Sequence, residues 1–326
     1  MCVCSQSWVS QYFEVGLKVH VAVENIDRRV AYRKIREVAS KLAPEFEFQI
    51  VEPLVGNYVP CPSVGNDANC LPSGPDVVLT PGVKIYCERI EPAAPGQKVE
   101  SGCALYSGSI ELPGGAERGL TVGHLFENVG LECTLWHGAE TSTVSVGRCR
   151  AKISVVDLVD SLHKTTADLA LLDVFCPAKN AVVIDGVTYV LRLHRGFLSP
   201  VSRPKVAILS DSGQLRHGLM DSTLFTVSAL GLYNTLTIVD PDHSRSRVNN
   251  PGDSGALVIS VPPDPNVSRE VVVYGMVIGY FESEDGTQSM TVATRLWDVL
   301  SFVSKLPQSE VPPHSLESGY VSLLSC

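Results

Sequence analysis

Residues 17–24 (LKVHVAVE) alternate apolar and polar side chains, the period-two pattern of a half-buried strand. Asn25 or Asp27 then offers a short side-chain acceptor for the free amides of a helix start. The spacing of Ala31, Ile35, Val38 and Leu42 predicts a helix over 28–42 with one apolar stripe, stopped by Pro44. A second strand follows over 46–51. Residues 1–57 therefore read as a small strand–helix–strand module. The stretch 58–98 is rich in Pro, Gly, Asn and Ser and reads as a connector, with 91–97 as its most linker-like part. Beyond it, apolar runs recur at 104–112, 143–148, 152–156, 169–175, 182–193, 206–209, 223–229, 235–239, 256–261 and 271–281. No helical period separates them, which predicts a mainly β fold, a sandwich or barrels. Asp185-Gly186 and Asp285-Gly286 stand where tight hairpin turns belong. A closing helix is predicted over 294–305, with Leu296, Val299, Leu300 and Val303 on its inner face and Pro307 beyond its end. The tail, 307–326, reads as flexible.

Composition narrows the function. Of 326 residues, 44% are apolar and 19% charged, enough to bury a core and to exclude wholesale disorder. A net charge of −9 argues against a nucleic-acid surface. No run approaches the length of a membrane span. The first residues lack the basic start and apolar core of a secretory signal, so a cytoplasmic, reducing location is expected. Ten cysteines then need not form disulfides. Cys2-x-Cys4 lacks the second ligand pair that zinc needs, so neither metal nor cofactor is expected. The basic residues of the 28–42 helix (Arg28, Arg29, Arg33, Lys34, Arg36, Lys41) form either a solvated face or a dock for a regulatory partner.

Chemistry concentrates in three short segments. Gly252-Asp253-Ser254-Gly255 precedes an apolar run. A serine nucleophile needs a base, an orienting acid and donors for the developing oxyanion. A glycine two residues before it lets the backbone turn without crowding substrate, which makes the amides of Gly252 and Ser254 the natural donor pair. An ordinary Asp-Ser-Gly turn is the plain alternative. Ser210-Asp-Ser-Gly213 repeats the triplet without that glycine, so Ser212 reads as a turn. His124, in Gly119-Leu-Thr-Val-Gly-His124, follows an apolar strand, and Asp168, in Thr165-Thr-Ala-Asp168-Leu-Ala-Leu-Leu172, opens another.

In their order His–Asp–Ser, these segments resemble the chymotrypsin-like (trypsin-type) serine protease family. Over about 99–306 the resemblance implies two six-stranded antiparallel β-barrels with the site between them. It also implies Ser254 as nucleophile, His124 as general base, Asp168 as its orienting acid, and a peptide substrate. Departures accompany it. Leu125 and Asn250 stand where secreted relatives carry cysteines, and no Ile-Val-Gly-Gly-like start is present, so Asp253 must find a partner other than a new amino terminus. Gly275-Met-Val-Ile-Gly279 resembles the strand lining the substrate cleft, with Ile278 where a serine is common. By position, Val248 falls at the pocket floor and Gly279 and Tyr280 at its wall. These three predict preference for a small or medium apolar side chain before the scissile bond. A silent or latent protease-fold protein, recruited through its N-terminal module for binding or regulation, is the competing reading.

Overall fold

The computed structural model describes residues 77–88, 101–112, 116–137, 142–157, 164–195, 203–221, 224–227, 230–242, 246–283 and 289–303, with the pieces 2–6, 17–21, 37, 56–60 and 322–323. Of the expected N-terminal module, β1 (Cys2–Gln6) and β2 (Leu17–Val21) form an antiparallel pair. Glu37 is helical and exposed. The rest of the 28–42 helix, the 46–51 strand and the 91–97 linker lie outside the described residues. A short strand, β3 (Gly56–Pro60), spans the expected 57/58 boundary.

The first barrel uses β4 (Lys84–Glu88), β5 (Ser101–Leu105), β6 (Gly108–Glu111), β7 (Glu117–Val122), β8 (Glu132–His137), β9 (Ser142–Asp157) and β10 (Lys164–Val174). Its ladder runs β6-β7-β10-β9-β8-β4-β5. β5 and β6 are the two halves of one stretch bent at Tyr106 and Ser107, so the ladder's two ends meet at that bend. Thr121 Oγ1 donates to the Leu105 carbonyl at 2.9 Å across the closure. The interior fills with Ile85, Tyr106, Leu120, Leu135, Leu169 and Leu171, all at most 1% exposed.

A hairpin, β11 (Ala181–Ile184) and β12 (Val187–Leu193), links the halves. Its turn is the expected Asp185-Gly186, both with positive φ (50° and 77°) as a primed hairpin turn requires. The second barrel contains β13 (Lys205–Leu209), β14 (Leu215–Met220), β15 (Phe225–Val227), β16 (Leu232–Val239), β17 (Leu257–Ser260), β18 (Glu270–Ser283) and β19 (Ser289–Arg295). Six of these close a full circuit, β13-β14-β16-β19-β18-β17-β13, with every neighbour antiparallel. Its core gathers Val206, Ile208, Leu236, Ile238, Val258 and Val277. The closing helix α1 covers Leu296–Val303, within the predicted span.

Two boundaries need correction. The first barrel begins upstream of residue 99, because Lys84–Glu88 pairs with both β5 and β8. In the 58–98 connector, prolines and glycines on either side hide this strand. The tail is not wholly loose: β20 (Ser322–Leu323) pairs with Glu111 and Ile110 of β6.

β4 buries Ile85, Tyr86 and Cys87. At roughly 1.5–3 kcal/mol per buried apolar side chain, its loss removes much of a domain's net stability of about 5–15 kcal/mol. A chain cut to begin at residue 99 is therefore expected to show no cooperative melt, whereas one beginning at Val77 melts cooperatively. Circular dichroism melts of the two decide the point.

Candidate active site

His124 sits on a single 3-10 turn, Gly123–Leu125, at the end of β7. Asp168 lies in β10 at a bulge: between Thr166 and Leu169 the register against β9 gains one residue. Such an insertion bends the strand and re-aims a side chain. Asp168 adopts φ 41°, a left-handed conformation that aspartate tolerates better than most residues. Its carboxylate faces His124 with both oxygens. Oδ1 accepts the His124 backbone N–H at 2.9 Å, and Oδ2 lies 2.6 Å from Nδ1. A carboxylate only accepts, so Nδ1 carries the proton and Nε2 is left as the acceptor. Ser254 Oγ lies 3.1 Å from that Nε2. The structure thus brings together the three residues singled out in the sequence, two from the first barrel and one from the second. Ser254 is fully buried, while the His124 and Asp168 side chains keep 26% and 20% exposure.

The segment holding Ser254 is pinned from both barrels. The Leu105 N–H of β5 donates to the Ser254 carbonyl at 2.7 Å, and Ser107 Oγ donates to the Gly255 carbonyl at 2.6 Å. From the second barrel, Gly255 N–H donates to the Val277 carbonyl, and Val277 N–H to that of Ala256, both at 2.8 Å. Gly255 has φ 88°, and a Cβ there would collide with the Leu105 carbonyl oxygen. Gly252, at φ 92°, is also held where an L side chain is strained.

Asp253 finds its partners inside the second barrel. At 4% exposure, it accepts from Ser210 Oγ at 2.6 Å and from Asn250 N–H at 2.7 Å, and it pairs with an Arg216 guanidinium nitrogen at 3.2 Å. Arg216 was invisible to motif reading, because it stands on an ordinary-looking stretch far from Asp253 in sequence, and the Ser210-Asp-Ser-Gly213 segment gave no sign that Ser210 meets Asp253. Removing Arg216 leaves a buried carboxylate with neutral donors alone. After discounting for Arg216's partial exposure, Arg216→Ala is expected to cost on the order of 2 kcal/mol. It should also slow reaction of Ser254 about tenfold, while Arg216→Lys restores part of both. Melting curves and labelling rates on the two variants measure this.

The remaining predicted positions fall as follows. Val248 N–H and Asn249 N–H both donate to Thr291 Oγ1 at 3.0 Å, and Thr291 is the register partner of Tyr280. The Val248 side chain packs on the second barrel's core beside Gly218. Gly279 and Tyr280 lie on β18 just past Val277, and the Arg247 guanidinium sits 3.7 Å above the Tyr280 ring. Ser212 lies in the 3-10 turn Asp211–Gly213, in line with its reading as a turn. Burial pushes the Cys133 thiol up to about 12 and the Cys149 thiol up to about 11, so both are held protonated and unreactive. Among the described residues no cluster of His, Cys, Asp or Glu could hold a metal ion, and no helix is long and apolar enough to cross a membrane.

No protein-family model matches the chain, and no curated protein matches it. Solved structures similar to it include protease A of Thermobifida fusca, at 13% identity over 69% of this chain and 96% of that one, with a TM-score of 0.44. The Nocardiopsis protease NAPase aligns at 13% identity over 69% and 96%, TM-score 0.43, and a Cellulomonas bogoriensis chymotrypsin at 13% over 69% and 95%, TM-score 0.42. The architecture stands on the chain's own strand pairings. A closed six-stranded barrel and a half-barrel, both antiparallel and followed by a closing helix, are consistent with a chymotrypsin-like double barrel.

Proposed function

We propose that the chain is a serine endopeptidase, with Ser254 as nucleophile, His124 as general base and acid, and Asp168 as the residue orienting the imidazole. The observation carrying this reading is the unbroken line from Asp168 Oδ2 through His124 to Ser254 Oγ, at 2.6 and 3.1 Å, spanning the two barrels. Ser254 Oγ attacks the scissile carbonyl as its proton passes to His124 Nε2. The resulting imidazolium is stabilised by the Asp168 carboxylate. The amides of Gly252 and Ser254 receive the charge on the carbonyl oxygen, for which the strained glycine turn ahead of the serine is suited. His124 then returns the proton to the leaving amine, which departs and leaves an ester on Ser254. Water, activated by the same histidine, hydrolyses that ester. None of these steps calls on a metal or organic cofactor. With Val248 packed against the core and no countercharge at Gly279 and Tyr280, the residue before the cleaved bond is expected to be small or medium and apolar.

A fluorophosphonate probe on the full chain tests the reading. It requires a base-activated serine but little subsite binding. Mass spectrometry is expected to place the adduct on Ser254, and Ser254→Ala to abolish it. An adduct that persists in Ser254→Ala, or an unlabelled wild-type chain, overturns the assignment.

A further inference from the structure

We propose that Thr294 of the second barrel is a positioning residue for Asp168, acting through the Thr166 carbonyl to hold the bulge that aims the carboxylate at His124. The proposal rests on the peptidase reading above and adds a residue to that site without giving it contact with substrate.

Asp168 needs an anchor that its own contacts do not supply. Among the described residues its carboxylate bonds two nitrogens of one residue, the backbone N–H and Nδ1 of His124. His124 is the group being oriented, so it cannot also serve as the fixed reference. The Asp168 backbone is unfavourable in itself: φ 41° is left-handed, and such a conformation persists only where the surroundings over-determine it. The bulge adds to the demand. It interrupts the β10–β9 ladder after Thr166, and backbone groups beside an interruption must find other partners.

Those partners come from the other barrel. Thr294 Oγ1, on β19, donates to the Thr166 carbonyl at 2.6 Å. Thr166 Oγ1 donates in turn to the Gly231 carbonyl at 3.0 Å and accepts the Tyr233 N–H at 2.9 Å, at the start of β16. Thr294 is fully buried and Thr166 nearly so, which leaves water little room to compete for these bonds. Three bonds thus clamp the residue at which the bulge begins, and all three lead to the second barrel.

The bonds have different tasks. The two through the Thr166 hydroxyl fix where the strand runs. The one from Thr294 fixes the plane of the Thr166–Ala167 peptide, because a peptide unit is flat and a hold on its oxygen sets the orientation of the whole. Asp168 follows that peptide by one residue. If the plane tips, both carboxylate oxygens leave the His124 nitrogens together. The acid of the first barrel is therefore aimed by a hydroxyl of the second, from 128 residues away in sequence.

The experiment uses the full chain with Thr294→Val, which keeps the side chain's shape and removes the hydroxyl, and Thr294→Ser, which keeps the hydroxyl. Should the valine variant not fold, Thr294→Cys takes its place, a thiol being a weak donor. Hydrogen exchange at the His124 amide is compared with that at Leu105 and Val277, whose amides bond the Ser254 segment and open when its hold is lost. In Thr294→Val the His124 amide is expected to exchange about tenfold faster relative to those two, and Thr294→Ser to bring it back to the wild-type ratio. Fluorophosphonate labelling is expected to slow about tenfold in Thr294→Val and to recover in Thr294→Ser. Added to Asp168→Asn, Thr294→Val is expected to leave the labelling rate nearly unchanged, since the group it positions is already lost. A purely structural role gives the opposite: equal acceleration at all three amides, and the same loss of labelling whether or not Asp168 is present. Either result overturns the proposal, as does a relative change at His124 below about threefold. Relative acceleration at His124 in a chain that no fluorophosphonate labels, wild type included, overturns the peptidase reading instead, leaving Thr294 as the holder of the Asp168 bulge.

Discussion

Replacing Asp168 with asparagine is expected to slow reaction of Ser254 by about 10⁴, as measured by fluorophosphonate rate constants, with little change in melting temperature. The reason lies in how the two carboxylate oxygens are spent. One accepts the His124 backbone N–H and the other faces Nδ1. Asparagine retains a single oxygen. The backbone N–H cannot reverse its role, so the oxygen stays there and the amide NH₂ turns toward Nδ1. That nitrogen must then become the acceptor, and the ring proton moves to Nε2, where it points at Ser254 and can take nothing from it. A rate close to that of the wild-type chain would transfer the orienting role to another acid. Asp173 is the nearest candidate, although it is already paired with Arg118 at 3.3 Å.

Gly255→Ala is expected to be the most disruptive added methyl among the described glycines, where its Cβ makes the shortest contact. At φ 88° the left-handed conformation alone costs an L residue about 1–2 kcal/mol. The added Cβ would also meet the Leu105 carbonyl, a backbone atom that cannot rotate away. Relief means separating β5 from the Ser254 segment and breaking the bonds Leu105 N–H and Ser107 Oγ make to it. A loss of about 4 kcal/mol or more follows, together with a drop of at least 100-fold in labelling. Gly130→Ala is the matched control. Its φ is 94°, but nothing lies within 4 Å of the added carbon, so it should show the conformational cost alone. Equal melting temperatures for the two variants would remove the collision from the account.

What could be read from the sequence follows how far each interaction reaches along the chain. His124, Asp168 and Ser254 were legible because short local signals mark them: a glycine ahead of the histidine, an aspartate opening an apolar strand, and a glycine-flanked serine. The Asp185-Gly186 hairpin and the closing helix were legible for the same reason. Arg216 was not, because its pairing with Asp253 depends on β14 and the Ser254 loop meeting in the second barrel. The bulge at Asp168 leaves no mark in an otherwise regular strand pattern. β4 and β3 are five residues each, too short for a period to stand out among the prolines and glycines around them. Val248 was placed by counting back from Ser254, and counting cannot report that its side chain turns to the core beside Gly218.

The bonds from Leu105 and Ser107 to the Ser254 segment also set a timetable. A chain emerging from the ribosome completes β5 through β10 well before Ser254 is made, and N-terminal units generally fold first. Throughout that interval the first barrel holds His124 and Asp168 with nothing to activate. Once the second barrel has been synthesised, its serine still lacks the two donors supplied by the first. On the proposed peptidase reading, reactivity would begin at docking, when the halves close on one another, and a nascent or half-folded chain would be kept from attacking its neighbours.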